Sequence, residues 1–256
     1  MDYSSKEGSS YFAAIADSYD RLQPVLSPPY SKGLEMIVEL IPFDPDDAFE
    51  FVELGCGTAE PTARVLDRFR NATGTCVDSE PEMLSLARKK LGPHSDRAEV
   101  LEADMAGCDI RECDLVLSAK AVHHLSPACL PELFARIAGA LRPGGSFILY
   151  DAMAIGPSWG PGSRLLSSRY RRLHLQGAVA SGMATQEEID ARQEYKGRMK
   201  AAGKDVEYEH RTEDLIGAMA QAGFDEVAVV WRMFADTILL AFTPKAEDSA
   251  ADGRCC

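Results

Sequence analysis

Long apolar runs are missing from this sequence. No stretch approaches the ~18–20 residues needed to cross a bilayer, and the opening MDYSSKEGSS has no apolar signal core. The expectation is a cytoplasmic protein with no membrane partner. Paired cysteine is lacking too. The seven cysteines are Cys56, Cys76, Cys108, Cys113, Cys129, Cys255 and Cys256, an odd number with no C-x-x-C and no Cys/His pair at zinc spacing. That pattern argues against a disulfide framework and a structural metal, and it fits a reducing compartment. Positive charge is scarce, with 27 Lys and Arg against 40 Asp and Glu and a formal net charge of −13. An acidic surface repels phosphate backbones, which makes nucleic acid a poor candidate partner. Internal repeats and low-complexity segments are also absent.

What is present is ordinary globular material: 256 residues, 46% hydrophobic and 26% charged. A chain of this size hides roughly 70–75% of its unfolded surface, enough for a core without staples. Apolar spacing predicts a helix over 11–22 and a second over 31–41, separated by the proline-broken stretch QPVLSPPY at 23–30. Strands are expected at 49–54, 74–78, 97–103, 113–118, 146–151, 226–233 and 237–243. Helices at 61–70, 81–91, 127–141 and 212–222 fall between them, three entered through proline. The alternation implies parallel βαβ units. Only Phe234, Ala235 and Asp236 link the last two strands, which permits a hairpin and forbids a parallel crossover. The fold class expected is therefore α/β, a doubly wound seven-stranded sheet, mostly parallel with one antiparallel strand. A helical cap is inserted between strands 5 and 6, with two helices over roughly 163–200. The expected layout runs as a disordered tail (1–10), N-terminal cap helices (11–44), a Rossmann-like domain (45–151 and 206–244), a lid (152–205) and a second disordered tail (245–256).

The sharpest signal is FVELGCGTAE at 51–60, a buried strand running through Glu53 into Gly55 and Gly57 and then a helix. Glycines there allow a tight turn and close ligand approach. Glu60 occupies the third glycine position of the dinucleotide fingerprint, where a carboxylate would repel a pyrophosphate. Glu53 before the turn suits a ligand with a positive amino group. Asp78 closes the second strand about 20 residues on, placed to accept ribose hydroxyls. Asp104 and Met105 follow the third strand, placed for an adenine amino group and its ring. Singly, each aspartate reads as a capping or turn residue; together and in order they read as a nucleoside site.

The series ELGCGTA, CVDSEPEML, EADM, DLVLS and LRPGGSFILYD with the terminal hairpin resembles the class I S-adenosylmethionine-dependent methyltransferases over about 45–243. The resemblance implies S-adenosylmethionine as cofactor, with Glu53, Gly55 and Gly57 at its methionine end, Asp78 at the ribose, and Asp104 and Met105 at the adenine. Cys56, Ser79, Met83 and Ser118 complete the expected cofactor contacts. The entry FAAIADSYDRLQPVLSPPYSKGLEMI, the insertion with QEEID and the ending AGFDEVAVVWRMFADTILLAF also resemble the carboxy-S-adenosylmethionine synthases. That similarity implies carboxyl transfer from prephenate as an alternative, with Arg192 or Arg198 for the extra carboxylate. The loop AVHHL at 121–125 departs from that family.

Methyl transfer needs an aligned nucleophile and, where it is protonated, a base. His123 and His124 follow the fourth strand, and imidazole titrates in the right range. His123 is the expected base, and Tyr19 on the first helix a favourable ring beside a sulfonium. Tyr11, His124, Asp151, Trp159 and Arg192 are the expected acceptor contacts. Arg164, Arg169, Arg171 and Arg172 form either a solvated helix face or an anion clamp. The expected function is methyl transfer to oxygen or nitrogen of a small molecule. The rivals are the carboxyl transfer above and a non-catalytic cofactor-binding or regulatory protein. A homodimer through the cap helices is the one further partner expected.

Overall fold

The computed structural model describes residues 10–154 and 161–246. Trp159 lies outside the described residues, as do the two expected tails apart from Ser10, Lys245 and Ala246.

The first helix, α1 (Tyr11–Leu26), starts at Ser10, whose Oγ accepts from the Ala13 amide at 3.0 Å. It continues through Pro24, so the break expected from residue 23 falls instead at 27–29. Pro24 sits in the last turn, where it forfeits one helix hydrogen bond, to the Asp20 carbonyl. Leu22 and Val25 on either side are fully buried against Ala178, Ala184 and Ile189. Burial of such side chains is worth about 1.5–3 kcal/mol each and outweighs the proline. The second helix, α2, spans Tyr30–Glu39.

The alternating region follows as β1 (Glu50–Leu54), α3 (Glu60–Arg68), β2 (Thr73–Asp78), α4 (Pro81–Lys90), β3 (Ala98–Glu102), β4 (Cys113–Ala119), α5 (Leu130–Ala140) and β5 (Leu141–Ala152). The insertion supplies α6 (Pro161–Ala180) and α7 (Gln186–Ala201), after which come α8 (Thr212–Gln221), β6 (Glu226–Met233) and β7 (Asp236–Phe242). One seven-stranded sheet results, in the order β3-β2-β1-β4-β5-β7-β6, parallel except for β7. The link from β6 to β7 is two residues, one shorter than expected, and Phe234 turns it with φ at +58°. No described helix is long and apolar enough to cross a membrane.

The strands are apolar on both faces because helices cover both. Phe51, Leu115, Leu117, Ile148 and Tyr150 face the layer of α2, α3 and α4. Val52, Val116, Phe147 and Leu149 face α5 and α8. The connections leave β1 and β4 in opposite directions, so a crevice opens at their carboxyl ends, where open α/β sheets bind ligands. The cap closes over it. A capping box of Thr185 and Glu188 opens α7, and Glu188 also pairs with Arg21 of α1 at 2.6 Å. Ile189, Arg192, Tyr195 and Met199 form the buried side of α7.

Gly33 of α2 lies against the Tyr150 ring, where an added Cβ would stand 2.3 Å from Cζ. The ring is held by its hydroxyl, which donates to Asp236 Oδ1 at 2.8 Å. Alanine is the better helix former by about 1 kcal/mol, yet overpacking costs about 1–3 kcal/mol. We expect Gly33→Ala to lower the midpoint of urea unfolding; a midpoint equal to or above wild type would show that the ring withdraws freely.

Candidate cofactor and acceptor site

The turn after β1 is tied to the end of β2. The Gly55 and Cys56 amides donate to the Val77 carbonyl at 2.8 and 3.0 Å, and the Gly57 amide donates to Asp78 Oδ2 at 2.7 Å. Both glycines have positive φ, +70° and +54°, for different reasons. A Cβ on Gly55 would stand 2.3 Å from the Ala121 Cβ, so this glycine serves packing against the turn after β4. A Cβ on Gly57 would meet nothing within 4 Å. It would point into open space instead.

That space is a cavity of about 320 Å³. Glu53, Gly55, Cys56, Gly57, Asp78, Ser79, Met83, Asp104 and Met105 all line it, as the sequence led one to expect. Ser118 does not. Its buried hydroxyl donates to the Leu54 carbonyl at 2.9 Å and stitches β4 to β1, because alternation along the strand turns it away from the cavity.

The cavity wall is strongly acidic. Glu53 is fully buried; Oε2 accepts from the Thr62 amide at 3.1 Å and hydroxyl at 2.5 Å, while Oε1 has no partner. Burial pushes this carboxyl up to about 7. Asp78 also spends Oδ1 on the Glu80 amide at 3.0 Å, and burial raises its pKa too. Asp104 accepts from the Ala106 amide at 2.8 Å. The two aspartates are thus turn residues as well as cavity residues, and each carboxylate keeps lone pairs for a ligand. Glu60 pairs with Lys90 at 2.7 Å and Arg64 at 3.0 Å. Burial raises its pKa, but the two cations outweigh that and hold it below the usual range. Lys90 also reaches Asp20 of α1 at 2.8 Å, which fastens α1 over the glycine turn.

A second cavity of about 330 Å³ adjoins the first and shares Phe12, Tyr19, Lys120, His124 and Asp205 with it. His123 lines it with Nδ1 at 2.6 Å from Asp151 Oδ1. Asp151 lines neither cavity; it is buried beneath the histidine and accepts the His123 and Ala152 amides at 2.9 and 2.7 Å. It thus holds the His123 ring from below and does not reach the space where an acceptor contact was expected. Burial lowers the His123 pKa, but the Asp151 charge and hydrogen bond outweigh it and leave the pKa above the ordinary value. Burial and the neighbouring His123 lower the pKa of His124, whose Nδ1 lies 2.8 Å from the Val206 carbonyl. Burial raises the Tyr19 phenol, so it stays protonated. Tyr11 and Arg192 line the second cavity, joined by Arg192 Nε donating to the Tyr11 hydroxyl at 3.1 Å. Arg198 is on the surface with Glu194 at 3.3 Å. Of the arginines on α6, Arg171 lines the second cavity.

Several lining residues escaped the sequence reading. Lys120, with φ at +59°, bonds Asp236 and faces both cavities; its place directly after β4 was the available signal. Lys196, Asp205 and Glu207 come from α7 and the irregular segment after it, where no period guides assignment.

The methyltransferase domain family model matches residues 51–145, the half of the sheet that carries the glycine turn, Asp78, Asp104 and His123. Over those 95 of 256 residues the chain is similar to the class I S-adenosylmethionine-dependent methyltransferases. Mouse acetylserotonin O-methyltransferase is 29% identical over 131 residues, 49% of this chain and 34% of that protein. The carboxy-S-adenosyl-L-methionine synthase of Campylobacter lari is 25% identical over 140 residues, 54% of this chain and 59% of that protein. The matches therefore span a third to three-fifths of these relatives. Human N-acetylserotonin methyltransferase, solved with its S-adenosylmethionine, superposes with a TM-score of 0.58 at 18% identity, covering 95% of this chain and 63% of that one. That likeness is one of fold.

The first cavity suits S-adenosylmethionine on its own chemistry. An amino group needs a buried anion, and Glu53 Oε1 is a buried oxygen with no partner. A nucleoside needs room over the turn, and Gly57 leaves it. An ionised Glu60 on the wall disfavours a diphosphate. We expect Gly57→Val to abolish S-adenosylmethionine binding in calorimetry. Glu53 should lose its proton as an ammonium binds beside it, so affinity should rise from pH 5.5 to about 7 and then level. Glu53→Gln should flatten that rise; a pH-independent wild-type affinity would remove Glu53 from the ammonium.

Proposed function

We propose that this chain transfers a methyl group from S-adenosylmethionine to an oxygen or nitrogen of a small acceptor, with His123 as general base. The observation that carries the reading is His123, held from beneath by Asp151, on the wall of a small polar cavity that adjoins the cofactor cavity. Glu53, Gly55 and Gly57 would hold the methionine end, Asp78 and Ser79 the ribose, and Asp104, Met105 and Met83 the adenine. The bound cofactor supplies an activated methyl group together with its leaving group.

The chain's own residues do the rest. Asp151 accepts from Nδ1–H of His123, which fixes the tautomer and leaves the Nε2 lone pair to take a proton from the acceptor. Nε2 lies 3.9 Å from Glu207, whose carboxylate favours the imidazolium once the proton has moved. Tyr19, lining both cavities, keeps its phenol protonated as a hydrogen-bond donor. The α6–α7 insertion acts as the lid that keeps bulk water from the reacting atoms. Each cavity lies near the lower bound for ligand sites, which suits a metabolite rather than a macromolecule.

Replacing His123 by Ala should cut kcat by roughly 10²–10⁴-fold without weakening cofactor binding. In the wild type, kcat/KM should rise with pH through an apparent pKa above the ordinary histidine value of 6.5. Asp151→Asn removes what raises that pKa and leaves burial, which lowers it, so the limb should move to lower pH while kcat falls. A limb unmoved by Asp151→Asn would take His123 out of the role.

The synthase relative favours one competing reading, carboxyl transfer from prephenate onto the cofactor. Mass spectrometry of the cofactor after incubation with prephenate decides it: a gain of one carboxyl group supports the synthase, and an unchanged cofactor supports methyl transfer.

A further inference from the structure

The second cavity is lined by two buried ionisable side chains, neither of which is hydrogen-bonded to a group of opposite charge. Asp205 is 3% exposed and neither carboxyl oxygen has a hydrogen-bond partner. His124 Nδ1 is 4.0 Å from Oδ1, but it is engaged by the Val206 carbonyl at 2.8 Å. Arg192 is 2% exposed, and its partners are two neutral hydroxyls, Tyr11 at 3.1 Å and Ser18 at 3.3 Å. Among the described residues no carboxylate stands within ion-pair distance of it.

The other buried or half-buried cations on this wall are matched: Lys120 pairs with Asp236, and Lys196 with Glu207 at 2.6 Å. Asp205 and Arg192 line the same 330 Å³ cavity without bonding each other. Nor can Asp205 readily swing to a partner. Its segment is pinned by the Lys204 amide on the Met199 carbonyl at 2.9 Å and the Tyr208 amide on the His123 carbonyl at 2.7 Å. Buried ions are matched in folded proteins because desolvation otherwise goes uncompensated. An anion and a cation left unmatched across one cavity describe a ligand of opposite polarity at its two ends.

We propose that the acceptor is a small amino acid or amino-acid-like zwitterion, its carboxylate held by Arg192 and its ammonium by Asp205. This rests on the reading of the second cavity as the acceptor site. A guanidinium offers a planar fork to a carboxylate, and Nη2 of Arg192 has no hydrogen bond to spend elsewhere. Asp205 also lines the cofactor cavity, so the ammonium end faces the cofactor and the carboxylate end faces α1 and α7. A neutral acceptor would leave both charges bare, and a dianion such as prephenate would set a second carboxylate against Asp205.

The test is calorimetric titration of the full chain, loaded with S-adenosylhomocysteine, with a panel of the proteinogenic L-amino acids and their N-acetyl and methyl ester forms. At least one free amino acid should bind, and capping either end should weaken it roughly ten- to a hundredfold, the worth of one hydrogen bond to a charged group. Asp205→Asn should erase the preference over the N-acetyl form alone, and Arg192→Gln the preference over the ester alone. The capped ligands on wild type decide the matter even if a variant fails to fold. Capped forms binding as well as the free acid, prephenate outcompeting every amino acid, or no binder in the panel would overturn the proposal. Failure of S-adenosylhomocysteine itself to bind would instead strike the cofactor reading, which keeps the two apart.

Discussion

The site depends on how the Asp78 carboxylate is spent. One oxygen takes the Gly57 amide at 2.7 Å and the other the Glu80 amide at 3.0 Å, so one side chain shapes the turns after both β1 and β2. With Val77 taking the Gly55 and Cys56 amides, the first turn has its donors anchored to the neighbouring strand. The chain can then hold φ of +70° and +54° within three residues without the turn collapsing into the crevice. A ligand approaching this edge finds a preformed wall, which spares it the cost of ordering one.

That wall is built from acids whose ionisation the fold controls separately. Glu60 has two cations within 3.0 Å and stays charged. Glu53 has only hydroxyl and amide donors on one oxygen, and burial leaves it near neutrality. The difference is one of desolvation against pairing. Its consequence is a cavity that accepts positive charge at a chosen point, beside Glu53, rather than everywhere. The formal charge of −13 contributes little to that choice, since most of it is screened at the surface.

Seven strands, their order of appearance and the antiparallel ending were legible because short apolar runs and proline- or glycine-marked turns are local signals. The lining of the first cavity was legible for the same reason: Glu53 and Asp78 lie at the ends of β1 and β2, and Gly57 and Asp104 shortly after β1 and β3. Pro24 misled because a local breaker signal met nonlocal burial of Leu22 and Val25, and burial won. Ser118 misled because a strand's last residues alternate, and only the cross-strand bond to Leu54 shows which way it points. Asp151 was given an acceptor contact when its real partner, His123, lies 28 residues away in sequence. Asp205 and Glu207 were invisible; the segment after α7 has no periodicity, and its place is set by bonds to His123 and Met199.

Two kinds of polar residue therefore meet at the junction of the cavities. His123, Lys120 and Lys196 each have a protein carboxylate at hand, which sets their positions before any ligand arrives. Asp205 has no hydrogen-bond partner and Arg192 only neutral hydroxyls, so a ligand of the right polarity would compensate their desolvation. Groups of the first kind set geometry and proton affinity, as Asp151 does for His123. Groups of the second kind set what is admitted, because the wrong ligand leaves a buried charge bare, and that penalty discriminates more sharply than a lost apolar contact. The cap brings both kinds together: α7 carries Arg192 and Lys196, and the segment leaving it carries Asp205 and Glu207. One inserted helix with its exit loop therefore supplies both kinds of group to the second cavity.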